Sequence, residues 1–203
     1  MIYLIRHGAT EWAMNGRHTG RSDIPLTPEG REEAKRFIPV FKEIKFDLVL
    51  SSPMQRARDT AALAGVGDQV KVSPDLQEWD YGDYEGITTP EIRKTVPSWT
   101  VFTHPCPNGE TIEHISARAD HVVERIAAVK GNVVLFSHGH FLRVLACRWT
   151  RLDAIYGQHL LLGTSTLSIL AVDRDIRVLR TWNGPLTTSE SATPWSHPHH
   201  DNK

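Results

Sequence analysis

Three short segments of almost unbroken apolar residues, at 2–5, 47–51 and 132–136, set the strongest limit on how this chain folds. A strand that is apolar on both faces must be covered on both faces. That arrangement belongs to parallel sheets flanked by helices rather than to half-exposed antiparallel ones. The sequence between these segments reads as helix. Thr27 followed by Pro28 gives an N-cap with proline at the first helical position. It predicts a helix with Ala34, Phe37, Ile38 and Phe41 on one face, which Pro39 must kink or end. A second helix is expected over about 54–64 and another over about 140–150. Between them, residues 111–130 carry Ile112, Ile115, Ala119, Val122, Ile126 and Val129 at helical spacing, with Gly131 as a stop. Residues 166–172 and 176–182 read as a terminal hairpin around Asp173-Arg174-Asp175. The expected class is therefore α/β: a three-layer α/β/α sandwich with a mostly parallel central sheet, over residues 1–182. Residues 183–203 are rich in Pro, Ser, Thr and His and read as a mobile polar tail, with His197, His199 and His200 incidental to function.

At 203 residues the chain can bury the core of one domain. Its 23 Lys and Arg against 24 Asp and Glu give a net charge of -1, which argues against a bulk electrostatic grip on nucleic acid or on an anionic membrane. No apolar run approaches the ~20 residues that cross a bilayer. The start, MIYLIRHG, lacks the basic region and long apolar run of a signal peptide. The expectation is a soluble cytoplasmic protein. Cys106 and Cys147 lie outside any metal-binding spacing and are expected to be free buried thiols.

In open α/β sheets ligands bind beyond the carboxyl ends of the strands. Arg6-His7-Gly8 follows the first strand, Ser51-Ser52-Pro53-Met54-Gln55-Arg56 ends the second, and Ser137-His138-Gly139-His140 follows the third. Two arginines and two histidines thus converge on one sheet edge. Guanidinium forks match the oxygens of a tetrahedral dianion. A neutral imidazole is a competent nucleophile, and neighbouring guanidinium groups stabilise charge on a phosphoryl group in transit. The leaving alkoxide needs a proton. Residues 78–86 offer carboxyl groups for that purpose in Glu78, Asp80, Asp83 and Glu85, and flanking aromatics could keep one of them partly desolvated. His138 and His140 alternate as metal ligands would, but no carboxylate or cysteine is spaced to complete such a site, so neither metal nor cofactor is expected. A P-loop is absent, and Trp79, Trp99, Trp149 and Trp182 read as packing.

Taken together, Arg6-His7-Gly8-Ala9-Thr10-Glu11-Trp12, Thr19-Gly20, Leu26-Thr27-Pro28-Glu29-Gly30, Ser51-Ser52-Pro53-Met54-Gln55-Arg56-Ala57 and Ser137-His138-Gly139 resemble the histidine phosphatase superfamily, the phosphoglycerate-mutase-like family, over about residues 1–182. The 78–86 stretch, Thr103-His104, Cys106-Pro107, Gly109-Glu110 and the His140-Phe141 that follows Gly139 are similar to bacterial acid phosphatases and to yeast-type sedoheptulose-1,7-bisphosphatase. The resemblance implies His7 as a phosphohistidine nucleophile and Glu78 as the proton donor. It places Arg6, Arg56 and His138 in the phosphate pocket, and Thr19, Gly20, Ser52, Tyr81 and Gly139 against the substrate. Arg143 falls where the sugar-bisphosphatase branch holds a distal phosphate, although alone it reads as an ordinary helix charge. The family commonly has Asn after Trp12, where this chain has Ala13; that weakens a mutase reading, as does the interval of 60 residues from Glu78 to His138. The expected activity is hydrolysis of small phosphomonoesters, sugar phosphates or bisphosphates among them. The alternatives are a cofactor-dependent phosphoglycerate mutase and a non-catalytic phosphate-ligand sensor. The expected partner is a small phosphorylated metabolite, and the terminal hairpin would offer an edge for a homodimer.

Overall fold

The computed structural model describes residues 1–184. The tail expected to be mobile lies outside them from Pro185 onwards, with its histidines. In chain order the elements are β1 (Ile2–Arg6), α1 (Glu11–Met14), α2 (Pro28–Lys35), α3 (Ile38–Lys42), β2 (Leu48–Ser51), α4 (Gln55–Leu63), β3 (Val70–Val72), α5 (Thr89–Ile92), α6 (Ile112–Ala127), β4 (Val133–Ser137), α7 (Gly139–Trp149), β5 (Leu167–Asp173) and β6 (Ile176–Gly184). The strands form one sheet in the order β3-β2-β4-β1-β5-β6. β3, β2, β4 and β1 run parallel, and the terminal hairpin β5–β6 adds antiparallel to β1. This is the expected three-layer α/β class.

Alternation along the strands explains the two layers of helices. Ile2 and Leu4 of β1, with Val133 and Leu135 of β4, face a core that includes Ile115 and Val122 of α6 and Leu145 of α7. Tyr3 and Ile5, with Val134 and Phe136, face the opposite core of Phe37, Phe41 and the alanines of α4. The apolar stripe on α6 holds from Ile112 to Ile126, with Thr111 accepting from His114 N as the N-cap, but the helix ends at Ala127 and Val129 packs against the core from beyond it. The helix after Thr27 does not continue past Lys35. The chain breaks and restarts as α3, with Pro39 in its first turn, where a missing N–H costs nothing. The restart turns Val40 and Phe41 inward and leaves Ile38 half-buried. Strand β3 was not expected; its three residues are too few to show a period. Strand β6 continues two residues past Trp182.

The three strands that end in the polar motifs are neighbours at the centre of the sheet. Their ends are tied together: His7 N donates to Ser137 O at 3.0 Å, and Ser52 N to Phe136 O at 3.0 Å. Beyond His7 the chain passes between α2 and α4. A Cβ on Gly8 would stand 2.4 Å from Gly30 O, while Gly8 N donates to Thr60 Oγ1 at 3.0 Å. Only glycine allows that approach, and it fixes the direction in which His7 leaves the strand. Cys106 and Cys147 are free and buried. Among the described residues no helix is long and apolar enough to cross a membrane.

Candidate active site

A cavity of about 180 Å³ opens over these strand ends, and Arg6, His7, Thr19, Glu78, Tyr81, Gly139 and Arg143 all lie on its wall. His7 is buried, and its Nδ1 lies 2.8 Å from Gly8 O. A carbonyl only accepts, so Nδ1 carries the proton and Nε2 holds the lone pair. That Nε2 has no partner among the described residues, yet it is not one of their buried unpartnered atoms, so it reaches the cavity. Burial pushes the His7 pKa well below the usual histidine value, and the Arg56 and Arg6 guanidinium groups push the same way. The ring is therefore neutral and aimed at the space a ligand would occupy.

Arg6 sits beside it. Its Nη1 donates to Leu162 O, and its Nε is buried with no partner. Nη2 has no partner among the described residues and is not one of their buried unpartnered atoms, so it is the part of the guanidinium that reaches the cavity, where an oxyanion would meet it. Gly139 leaves room at this point: a Cβ there would lie 3.4 Å from Arg6 Cζ and Nε and 3.7 Å from Glu78 Oε2.

Position sorts the four competing carboxylates. Asp80 pairs with Arg21 Nε at 2.7 Å, and Asp83 accepts from Asn108 Nδ2. Glu85 accepts from the N–H groups of Gly20 and Ser22 at 2.9 and 3.0 Å. Glu78 alone among them reaches the cavity wall at His7. Its Oε1 accepts from Trp79 N and Phe141 N, both at 2.9 Å, and its Oε2 from His140 N at 3.0 Å. The first turn of α7 thus holds this carboxylate, as helix N-termini hold anions.

Arg56, His138, Ser52 and Gly20, expected at the phosphate or the substrate, do not line the cavity; they form a buried hydrogen-bonded group behind it. Arg56 is fully buried. Its Nη1 donates to Ser22 O at 2.8 Å, its Nη2 to Thr19 O and Gly20 O at 3.1 and 3.0 Å, and its Nε to His138 Nδ1 at 3.2 Å. Since Nε–H can only donate, His138 Nδ1 is the acceptor and Nε2 carries the proton, which goes to Ser52 Oγ at 2.7 Å. Arg56 thereby sets the tautomer of His138 and holds the carbonyls of loop 19–22, while Glu85 holds the same loop by its N–H groups.

The sequence reading did not single out His18 or Thr60; it offered Glu85 only as a competing proton donor, and gave His140 no role beyond half of a metal pair. The two motif histidines have separate partners: His140 Nδ1 meets Tyr81 Oη at 2.6 Å. Burial lowers the pKa of His18 to about 4, and that of His7, His138 and His140 in the same direction. Each is depressed relative to an unfolded value near 6.5, so below that pH the unfolded chain takes up protons that the folded chain refuses. Stability is then complete above about pH 6.5 and falls as the pH drops, by about 1.4 kcal/mol per unit for His18 until about pH 4. Melting temperatures should fall steeply from pH 6.5 to 5; a flat profile would contradict the neutral buried rings.

The chain matches the family model for the histidine phosphatase superfamily (branch 1) over residues 2–185. A Mycobacterium tuberculosis protein named acid phosphatase is 40% identical over 182 residues, covering 88% of this chain and 89% of that one. The sedoheptulose 1,7-bisphosphatase of Saccharomyces cerevisiae is 34% identical over 178 residues, covering 72% of this chain and 66% of its own. The solved structure of a Mycobacterium tuberculosis open reading frame matches with a TM-score of 0.87 at 38% identity, over 92% of this chain and 98% of that one. Strand-end motifs, sheet and relatives agree, and this chain belongs to the histidine phosphatase superfamily, branch 1.

Proposed function

We propose that this chain hydrolyses small phosphomonoesters through a phosphohistidine formed on His7. The observation that carries the reading is the neutral His7 ring, with Nδ1 held by Gly8 O and Nε2 open to the cavity. Nε2 attacks phosphorus, the bond to the leaving oxygen breaks, and Glu78 gives that oxygen a proton. Water then attacks the phosphohistidine, Glu78 takes a proton from it, and inorganic phosphate leaves with His7 restored. Arg6 meets the phosphoryl oxygens directly. Arg56 and His138 keep loop 19–22 and Ser52 in place around them.

The names of the relatives, an acid phosphatase and a sugar bisphosphatase, support a small phosphorylated metabolite as substrate. Hydrolysis is favoured over phosphoryl return because Ala13 lies on the cavity wall where the family commonly has an amide, and Asn15 is not among the lining residues. Alkaline quench of a reaction with ³²P-labelled phenyl phosphate should leave label on the protein that survives alkali and is released by acid. No label during rapid turnover would refute the covalent step. Turnover of 3-phosphoglycerate only with 2,3-bisphosphoglycerate present would make the chain a mutase.

A further inference from the structure

A second cavity, of about 140 Å³, adjoins the first and shares His18, His140 and Arg143 with it. Trp99 and Phe102 give it aromatic walls, and Gln158 gives it a polar one. A group esterified to phosphate at His7 has room to extend past the shared residues into this space. His140 stands at that junction. Its Nδ1 meets the hydroxyl of buried Tyr81 at 2.6 Å. Its Nε2 has no partner among the described residues and is not among their buried unpartnered atoms, so it opens to the cavity. The ring of His18 is otherwise engaged, through Nε2 with Thr89 Oγ1 at 3.2 Å.

We propose, building on the phosphatase reading above, that His140 determines leaving-group specificity: Tyr81 donates to Nδ1, which fixes the proton on Nε2, and this N–H donates to a hydroxyl or carbonyl oxygen of the leaving group. The direction of the Tyr81 bond follows from the phenol having His140 Nδ1 as its one partner among the described residues, so that donation there is what satisfies its proton. Burial and the nearby Glu78 carboxylate push the Tyr81 pKa far up, so the phenol keeps its proton. Burial and the neighbouring Arg143 push His140 well down, so its ring takes no second one. A fixed neutral donor rewards an oxygen acceptor on the substrate and disfavours an analogue that leaves it unpaired.

The test compares kcat/KM for glucose 6-phosphate with that for cyclohexylmethyl phosphate, which has the same ring size and no hydroxyl groups. The wild-type ratio should be about tenfold or more. His140→Phe keeps a flat ring without the donor and should bring the ratio towards one. His140→Gln, whose amide N–H can replace Nε2–H, should recover part of it. Tyr81→Phe frees the tautomer and should give an intermediate ratio. A wild-type ratio near one, or an unchanged ratio in folded His140→Phe, would overturn the assignment. Where His140→Phe does not fold, a wild-type ratio in Tyr81→Phe does the same. If 4-nitrophenyl phosphate is still cleaved in those cases, the phosphatase reading survives alone; if no phosphomonoester is cleaved by the wild type, both fall.

Discussion

His7→Ala is expected to lower kcat by roughly 10⁴-fold or more on every phosphomonoester, aryl or alkyl, because removal of the nucleophile eliminates the covalent route whatever the leaving group. The fold should survive. The side chain is neutral and among the described residues has one hydrogen bond, to Gly8 O. Truncation strands that carbonyl and opens a small void, at a cost of about 1–3 kcal/mol. The surrounding ties, His7 N to Ser137 O and Gly8 N to Thr60 Oγ1, involve backbone atoms that alanine retains. Kinetics with 4-nitrophenyl phosphate, beside a far-ultraviolet circular dichroism spectrum, check both halves. A folded variant with wild-type rates would remove His7 from the chemistry.

Glu78→Gln is expected to separate substrates by how much help their leaving oxygen needs. Loss of a positioned general acid costs about 10²–10⁴-fold where the leaving alkoxide is strongly basic, and much less where a nitrophenolate departs unaided. Alkyl phosphates should thus fall far more than 4-nitrophenyl phosphate, and an equal fall would argue against proton donation. The variant carries a structural cost too. Glutamine keeps one oxygen for Trp79 N and Phe141 N, but its NH₂ would face the N–H of His140, where Oε2 now accepts at 3.0 Å. Two donors opposed at a helix start should cost about 1–3 kcal/mol, readable as a lowered melting temperature.

The sequence carried the fold well where burial dictated the residue pattern. β1, β2 and β4 are buried on both faces and read as unbroken apolar runs, and α6 shows its stripe over four turns. β3 was illegible because three residues at a sheet edge, two of them exposed, need no pattern. The site was legible where chemistry dictates residue type at the ends of strands, as in Arg6-His7 and Ser137-His138. The roles of Arg56 and Glu85 were not, because both hold loop 19–22 by its backbone atoms: nothing in a string of letters says that a guanidinium will meet the carbonyls of residues 19, 20 and 22. Likewise His140 looked like half of a metal pair, since its partner Tyr81 lies 59 positions away and joins it only through the fold.

The open Nη2 of Arg6, on a guanidinium whose other nitrogens are buried or already bonded, means that the folded chain is a better host for an oxyanion than for empty solvent. Folding and ligand uptake are then linked equilibria: any phosphate-like solute that fits stabilises the native form by about 2.7 kcal/mol once its concentration reaches a hundred times its dissociation constant. The product of the reaction is such a solute. An accumulating pool of inorganic phosphate would therefore do two things at once, slowing the enzyme by occupancy while protecting it from heat.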